Sequence, residues 1–516
     1  MNYISTKIEK KCEELENTIL GKILLSHTVL AFFYGVFLFI YELEFFKECS
    51  HIVHPILIGW SVLIIIYDIV IRKILDKIPY WKILILFAIS AGITAVLTIN
   101  AGGVGNIKAW ILTMLPLFVF YPVCLLQSDR NRLKTFLFVM AGAAVVSCLA
   151  SGVAIWMYFI RLSGTVTFMG ITGRVGIVHY LPSDPNSAIL LYGLYTDTNH
   201  AALYSLFFIL YGVLLLYFCY QEKDMNKWIK LMIRAFAVVN IIIQTCYFPL
   251  ANSRGGFLSM CVSIFIAALF CFFSIFSKKN GSLKYIFSIG CAIVLMLISC
   301  FGFWSIRTGL STLSVNYGEK RSESSEQNKK PQKQSNTVKA PNDGKKGNVE
   351  KSEVEKNDKK KESSKVEEDS FVKKNDNFGA GRLEIWEDTM ILIKNRPFMG
   401  EGPGNKAYYA PLYSADGVIA QKGSDVHNSY LDLILDYGII GGGILLSFLI
   451  LCASKVLRCL LIEKRRFNIC FYLYIASVLV TASGSFLISS AFINVTALYF
   501  IMLIAMGYLM AECSKN

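Results

Sequence analysis

The stretch Ser424-Asp-Val-His427-Asn428-Ser-Tyr430 stands immediately ahead of a long apolar run. A histidine titrates near neutrality, which suits proton transfer. His427 is one of only 6 histidines in the chain. Its plainer reading is an amphipathic anchor at a membrane interface. Asp432 and Asp436 follow it into the apolar run, where a carboxylate is costly and needs a partner. Two arginines invite a second kind of chemistry. Arg382 opens the segment GRLEIWEDTMILIKNRPFMGEGPGN, and Arg254 opens an apolar run after ANS. A guanidinium is a fork-shaped donor that matches phosphate oxygens, and an anion site at a helix start is reinforced by the backbone N–H groups there. The bland alternatives are an ordinary interfacial cation for Arg382 and a snorkelling residue for Arg254. In TDTNHAALYSL, Asp197, Asn199 and His200 stand at the mouth of another run, and capping by Asp197 or Asn199 accounts for them. Gly400-Glu-Gly402-Pro-Gly404 is only loosely like a phosphate-cradling loop. No strand precedes it and no GK[ST] follows, which argues against a nucleotide P-loop.

Helices must position these residues. The chain has 516 residues, 54% of them hydrophobic and 17% charged, against roughly 25% charged in soluble proteins. That excludes a soluble enzyme with one anchor. A bilayer-crossing helix needs about 20 mostly apolar residues, and twelve such runs are legible, near 22–41, 52–71, 81–99, 109–127, 135–159, 199–219, 229–248, 255–276, 285–304, 433–454, 468–488 and 491–511. The predicted fold is therefore an all-α polytopic membrane protein of about 12 transmembrane helices with a large external catalytic loop between helices 9 and 10. Residues 1–21 read as a cytoplasmic amphipathic segment, 22–304 as helices 1–9, 305–432 as the loop and 433–516 as helices 10–12.

Arg72, Lys73, Lys77 and Lys82, then Arg130, Arg132 and Lys134, then Lys223, Lys227 and Lys230, then Lys278, Lys279 and Lys284, and finally Lys455, Arg458, Lys464, Arg465 and Arg466 fill every second loop. This positive-inside pattern puts both termini in the cytoplasm and leaves 160–198, 248–254 and 305–432 outside. The net charge of +14 is thus explained by loops that orient helices, and no nucleic-acid partner is expected. Leu383, Trp386, Met390 and Ile393 recur at helical spacing, so an amphipathic helix is expected there, ended by Pro397 and Gly400. Residues 318–377 are almost devoid of apolar side chains and are expected to be disordered; 378–432 is the ordered, catalytic part of the loop. The 14 cysteines mostly lie singly in apolar stretches, which excludes a disulfide framework or a structural zinc site.

From Gly381 to about Gly442 the chain resembles the signature region of the O-antigen ligase and Wzy-type O-antigen polymerase family. The elements that carry the resemblance are Gly381-Arg382…Trp386, Asn395-Arg396-Pro397…Gly400-x-Gly402-x-Gly404, and His427-Asn428-x-Tyr430-Leu431…Tyr437-Gly438-x-x-Gly441. Ser253-Arg254-Gly255 is similar to the family's arginine turn, and Thr198-Asn199 to its helix-opening Asn. The resemblance implies a GT-C-like glycosyltransferase that takes saccharide from an undecaprenyl-pyrophosphate carrier at the outer face of the cytoplasmic membrane and attaches it to a glycan, lipid or protein acceptor. It implies that Arg254 and Arg382 bind the pyrophosphate and that His427 is the base, with Asn428, Asn199, Trp386 and Tyr430 contacting substrate. Asp436 stands where Glu is common, and the charged insert interrupts the loop just before Arg382.

The residue chemistry agrees with this. Two arginines can stabilise charge developing on a leaving pyrophosphate without a metal, and no DxD-like carboxylate pair is evident outside. No cofactor and no resident metal are expected. Membrane lipids and a flippase or chain-length regulator are the further partners. The alternative function is a polysaccharide-precursor transporter or flippase, for which Asp68 and Gln244 are the main buried polar candidates; a sensor or scaffold is a third. Polymerase and ligase share these motifs.

Overall fold

A computed structural model describes residues 18–47, 50–168, 170–179, 189–276, 283–327, 381–489, 491–492 and 495–515. Most of the N-terminal amphipathic segment and most of the charged insert lie outside the described residues.

Each of the twelve apolar runs contains a helix: α1 (His27–Tyr41), α2 (Ser50–Tyr67), α3 (Trp81–Leu97), α4 (Val104–Val119), α5 (Asp129–Phe159), α6 (Thr198–Gln221), α7 (Lys227–Leu250), α8 (Arg254–Ile275), α9 (Leu283–Gln327), α13 (Ser429–Leu457), α14 (Ile469–Gly484) and α15 (Ala497–Cys513). Between α9 and α13 lie α10 (Arg382–Asn395), α11 (Lys406–Tyr413) and α12 (Val418–Lys422). Among the described residues, eight helices are long and apolar enough to cross a membrane; α1, α3, α14 and α15 are shorter apolar helices. The protein is a multi-pass membrane protein.

Burial sorts the helices. α15 is apolar all round, and nearly every residue from Ala497 to Cys513 is buried, so it forms the centre of the bundle. α9 is its opposite: Ile286, Leu297, Ile298 and Phe301 are exposed, an apolar surface suited to lipid. Two of the buried polar residues of the bundle are paired. Asp68 contacts His27 and Arg72, and Gln244 bonds Ser151 and Ser147 at 3.2 and 3.1 Å.

Two expectations need correcting. The chain is not all-α. Between α5 and α6 stands an antiparallel sheet of β1 (Ser163–Phe168), β2 (Ile171–His179) and β3 (Ile189–Gly193), in the order β1-β2-β3. Its signal was present: Thr165, Val166 and Thr167 favour extended backbone, and Val175 and Ile177 alternate inward. Backbone bonds from Glu44 to Leu194 (2.9 Å) and from Thr196 to Glu42 (3.1 Å) tie the sheet's exit to the end of α1. The ninth helix also does not stop near 304. It continues to Gln327, a single helix of 45 residues, so helical backbone enters the first ten residues of the stretch expected to lack structure. No proline interrupts it before Pro331, and extending an existing helix avoids the cost of nucleation. At 1.5 Å per residue it is about 67 Å long, roughly twice the thickness of a bilayer's hydrocarbon core.

Candidate functional site

Four helix starts meet at one end of the bundle, and each carries a candidate residue. Asp197 caps α6, its Oδ1 accepting from the backbone N–H groups of Asn199 (2.5 Å) and His200 (3.2 Å). Ser253 caps α8: its Oγ accepts from Gly256 N–H at 2.9 Å and donates to Asn199 Oδ1 at 2.8 Å. That bond ties the first turn of α6 to the residue preceding Arg254. Arg382 begins α10 after Gly381, which takes a positive φ of 73°. Asn428 caps α13, accepting from Tyr430 and Leu431 N–H at 3.1 and 3.2 Å, and His427 stands one residue ahead.

The charges of these residues reach one another. Burial pushes the half-buried Arg382 guanidinium below its ordinary value; Asp197 opposes that shift, and the like charge of Arg254 adds to it. Arg254 itself is exposed. Among the described residues neither arginine has a carboxylate partner at ion-pair distance. Two unpaired guanidinium groups beside several helix N-termini make a site that favours an anion. His427 is pulled below its usual value, first by burial and then by Arg382, against Asp425 and Asp197. It is therefore a neutral imidazole at neutral pH, and among the described residues its ring has no hydrogen-bond partner. The structure thus brings together Arg254, Arg382, His427 and Asn199 from widely separated parts of the chain.

Other bonds hold this geometry. His427 has a left-handed φ of 52°, a conformation that costs a non-glycine residue about 1–3 kcal/mol. Its N–H donates to Ser489 Oγ at 2.7 Å. Trp386 Nε1 donates to the Val426 carbonyl at 3.1 Å, so Trp386 steadies the loop from α10. Ser429 donates to Ile488 O at 2.7 Å and accepts from Ala491 N–H at 2.9 Å. The Tyr430 hydroxyl donates to Ala482 O at 2.8 Å. Trp386 Nε1, Asn428 Oδ1 and the Tyr430 hydroxyl are thus engaged within the protein.

The glycine-rich loop has a structural task. Gly438 breaks α13, with φ 68° and ψ −179°, and the loop fills the break: Glu401 N–H bonds Leu435 O at 2.8 Å, Gly402 N–H bonds Asp436 O at 2.9 Å, and Ile439 N–H bonds Pro397 O at 2.7 Å. A Cβ at Gly438 would lie 2.1 Å from Phe398 O, and one at Gly400 would lie 2.5 Å from Gly438 N. Backbone therefore meets backbone, which only glycine permits.

Sequence reasoning passed over several residues here. Asp197 was read as a cap, yet its charge also reaches Arg382 and His427. Glu401 is fully buried and neither carboxyl oxygen has a partner among the described residues. Burial raises it to about 8, with Arg396 opposing. Lys406 pairs with Asp425 and is raised; burial disfavours its charge, but Asp432, Asp425 and Asp436 outweigh that. Ser489 carried no signal at all. Among the described residues, no group of three or more His, Cys, Asp or Glu is placed to hold a metal ion.

A multi-pass membrane protein with two arginines and a histidine grouped at one end of its bundle is the class these features define. Residues 239–446 match the model of the O-antigen ligase family. That stretch spans Arg254, Arg382 and His427, the residues that carry the motif resemblance, and is similar to an O-antigen ligase domain. No curated protein matches the chain.

Proposed function

We propose that this protein is a glycosyltransferase that transfers or polymerises saccharide from an undecaprenyl-pyrophosphate carrier onto a glycan, lipid or protein acceptor at the outer face of the cytoplasmic membrane. The observation that carries this reading is the convergence of Arg254, Arg382 and His427 on one end of the bundle. The arginines hold the donor's pyrophosphate and stabilise the charge that grows on it as the sugar–phosphate bond breaks. Neutral His427 takes the proton of the attacking acceptor hydroxyl as the new glycosidic bond forms. Asp197 orients Arg382 and stabilises the imidazolium that results. Asn199, through Ser253, fixes Arg254; Trp386, Asn428 and Tyr430 frame the His427 loop.

The loop charges favour the outer face, since the basic loops lie at the opposite helix ends. The chemistry needs no metal, because the arginines supply the positive charge. The transporter alternative has less support: Asp68 and Gln244, its polar candidates, are both paired inside the bundle. The test is transfer from a defined undecaprenyl-pyrophosphate glycan by purified protein in nanodiscs. Product should form in the presence of EDTA. No product from any lipid-linked glycan, with folded protein, would remove the reading.

A further inference from the structure

A second polar cavity lies beside the arginine turn. It measures about 220 Å³ and is lined by Tyr158 at the end of α5, Ile189 in β3, Leu250 at the end of α7, and Arg307 and Ser311 on α9. Tyr158 is 94% buried, with 6% of its surface exposed, and its hydroxyl has no hydrogen-bond partner among the described residues. Arg307 and Arg161 are the cations whose charge reaches that hydroxyl, and no carboxylate does. Arg307 has no ion-pair partner among the described residues. Ser311 donates to Thr308 O at 2.8 Å, which leaves its oxygen lone pairs to accept.

The Tyr158 hydroxyl shares this cavity with the exposed Arg307 guanidinium, and neither has an acceptor among the described residues. A guanidinium beside hydroxyls matches an oxyanion: an anion seated here would accept from Tyr158 and Arg307, and a neighbouring hydroxyl would donate to Ser311. The cavity also adjoins the candidate site. Leu250 lines it, and Arg254 lies four residues on, a separation of at most about 14 Å for fully extended chain. Asn252 Nδ2 donates to Ile189 O at 3.4 Å, so the same turn that presents Arg254 packs against the cavity's wall. Trp304, one turn before Arg307, is exposed, as befits an aromatic at a membrane interface.

We propose that the Tyr158–Arg307–Ser311 cavity is a glycan subsite that takes a carboxylate- or phosphate-bearing sugar of the saccharide handled at the Arg254–Arg382–His427 site. The identity of its ligand rests on the glycan-transfer reading. Occupancy would bias the enzyme toward acidic repeat units.

The test measures binding without turnover. Purified full-length protein in phosphatidylcholine nanodiscs is titrated by calorimetry with two acidic probes, a glucuronate-bearing oligosaccharide and a glycerol-phosphate oligomer. Their neutral counterparts are a carboxyl-reduced form and plain oligoglycerol. The wild type should prefer at least one acidic probe over its neutral counterpart by about tenfold or more, the scale of one charge-assisted hydrogen bond. Arg307→Ala should abolish that preference, Arg307→Lys should restore part of it, and Tyr158→Phe should reduce it several-fold. Lys223→Ala, outside the cavity, should keep it. The proposal fails if the wild type prefers neither acidic probe, or if Arg307→Ala retains the preference in a protein that still unfolds cooperatively. It also fails if adding phosphatidylglycerol to the nanodisc removes the wild-type preference, because the cavity would then hold a lipid headgroup. Failure of the transfer assay with the binding preference intact would remove the enzymatic reading alone.

Discussion

Ser489→Ala tests whether the His427 loop is held in a strained, competent form by the turn between α14 and α15. His427 pays for its left-handed φ of 52° with about 1–3 kcal/mol of backbone strain. The 2.7 Å bond from its N–H to Ser489 Oγ is one of the contacts that offset this. Losing a neutral hydrogen bond removes about 1 kcal/mol, and that shifts a two-state population about fivefold. The neighbouring contacts remain: Trp386 to Val426 O at 3.1 Å, and Ser429 to Ile488 O at 2.7 Å. The loop should therefore relax locally while the bundle stays folded. In the nanodisc transfer assay kcat should fall about fivefold, with donor KM and the unfolding midpoint unchanged. Ser489→Thr, which keeps a hydroxyl, should recover most of the loss. Wild-type kcat in Ser489→Ala would refute the idea that this bond positions His427. So would a loss that Thr does not restore.

The remaining expectations concern charge and topology. His427→Ala should lower kcat by about 10²–10⁴-fold while donor binding stays near normal. Because burial and Arg382 lower the His427 pKa, the wild-type rate should rise with pH through a midpoint below 6.5 and then level off; a midpoint above 6.5 would contradict the site's electrostatics. Arg254→Ala and Arg382→Ala should raise donor KM as well as lower kcat, and Lys at either position should rescue poorly, for lack of the bidentate fork; full rescue by Lys would argue against phosphate recognition. Glu401, raised by burial to about 8 from an ordinary 4.5, stays protonated in the fold where the unfolded chain has lost its proton. Its contribution to stability should be full below about pH 4.5, decline as pH rises, and be gone above about 8. Glu401→Gln should flatten that slope in unfolding midpoints taken from pH 5 to 9, and identical slopes would exclude Glu401 as the source. On whole cells, a membrane-impermeant thiol reagent should label a cysteine placed at 350 and miss one placed at 225; the reverse pattern would overturn the orientation and the outer-face assignment.

Much of the architecture was legible because hydropathy is a local property. Each of the twelve apolar runs holds a helix among the described residues, eight of them long and apolar enough to cross a membrane, because backbone in an apolar run must satisfy itself locally. The arginine turn and the His-Asn pair were recognisable as motif, and Gly381, Asn428 and Ser253 carry ordinary helix-start signals. Helix ends were less legible: α9 runs on to Gln327 because nothing in its sequence stops it. The sheet between α5 and α6 was missed although Thr-Val-Thr and the alternation around Val175 were there, because a short strand in a loop stands out little beside long apolar helices.

By itself the sequence determined the membrane class, the helical runs and the residue types able to bind an anion and accept a proton. Tertiary structure alone decided that Arg254, Arg382, His427 and Asp197 share one site, since their proximity depends on how α6, α8, α10 and α13 pack. It decided that Gly438 breaks its helix to receive the Gly400–Gly404 loop. It also turned Ser489, Glu401 and Tyr158, ordinary in sequence, into a latch, a buried acid and the wall of a cavity. A side chain's type is written locally, but its burial, partners and pKa are set by neighbours that lie hundreds of residues away in the chain.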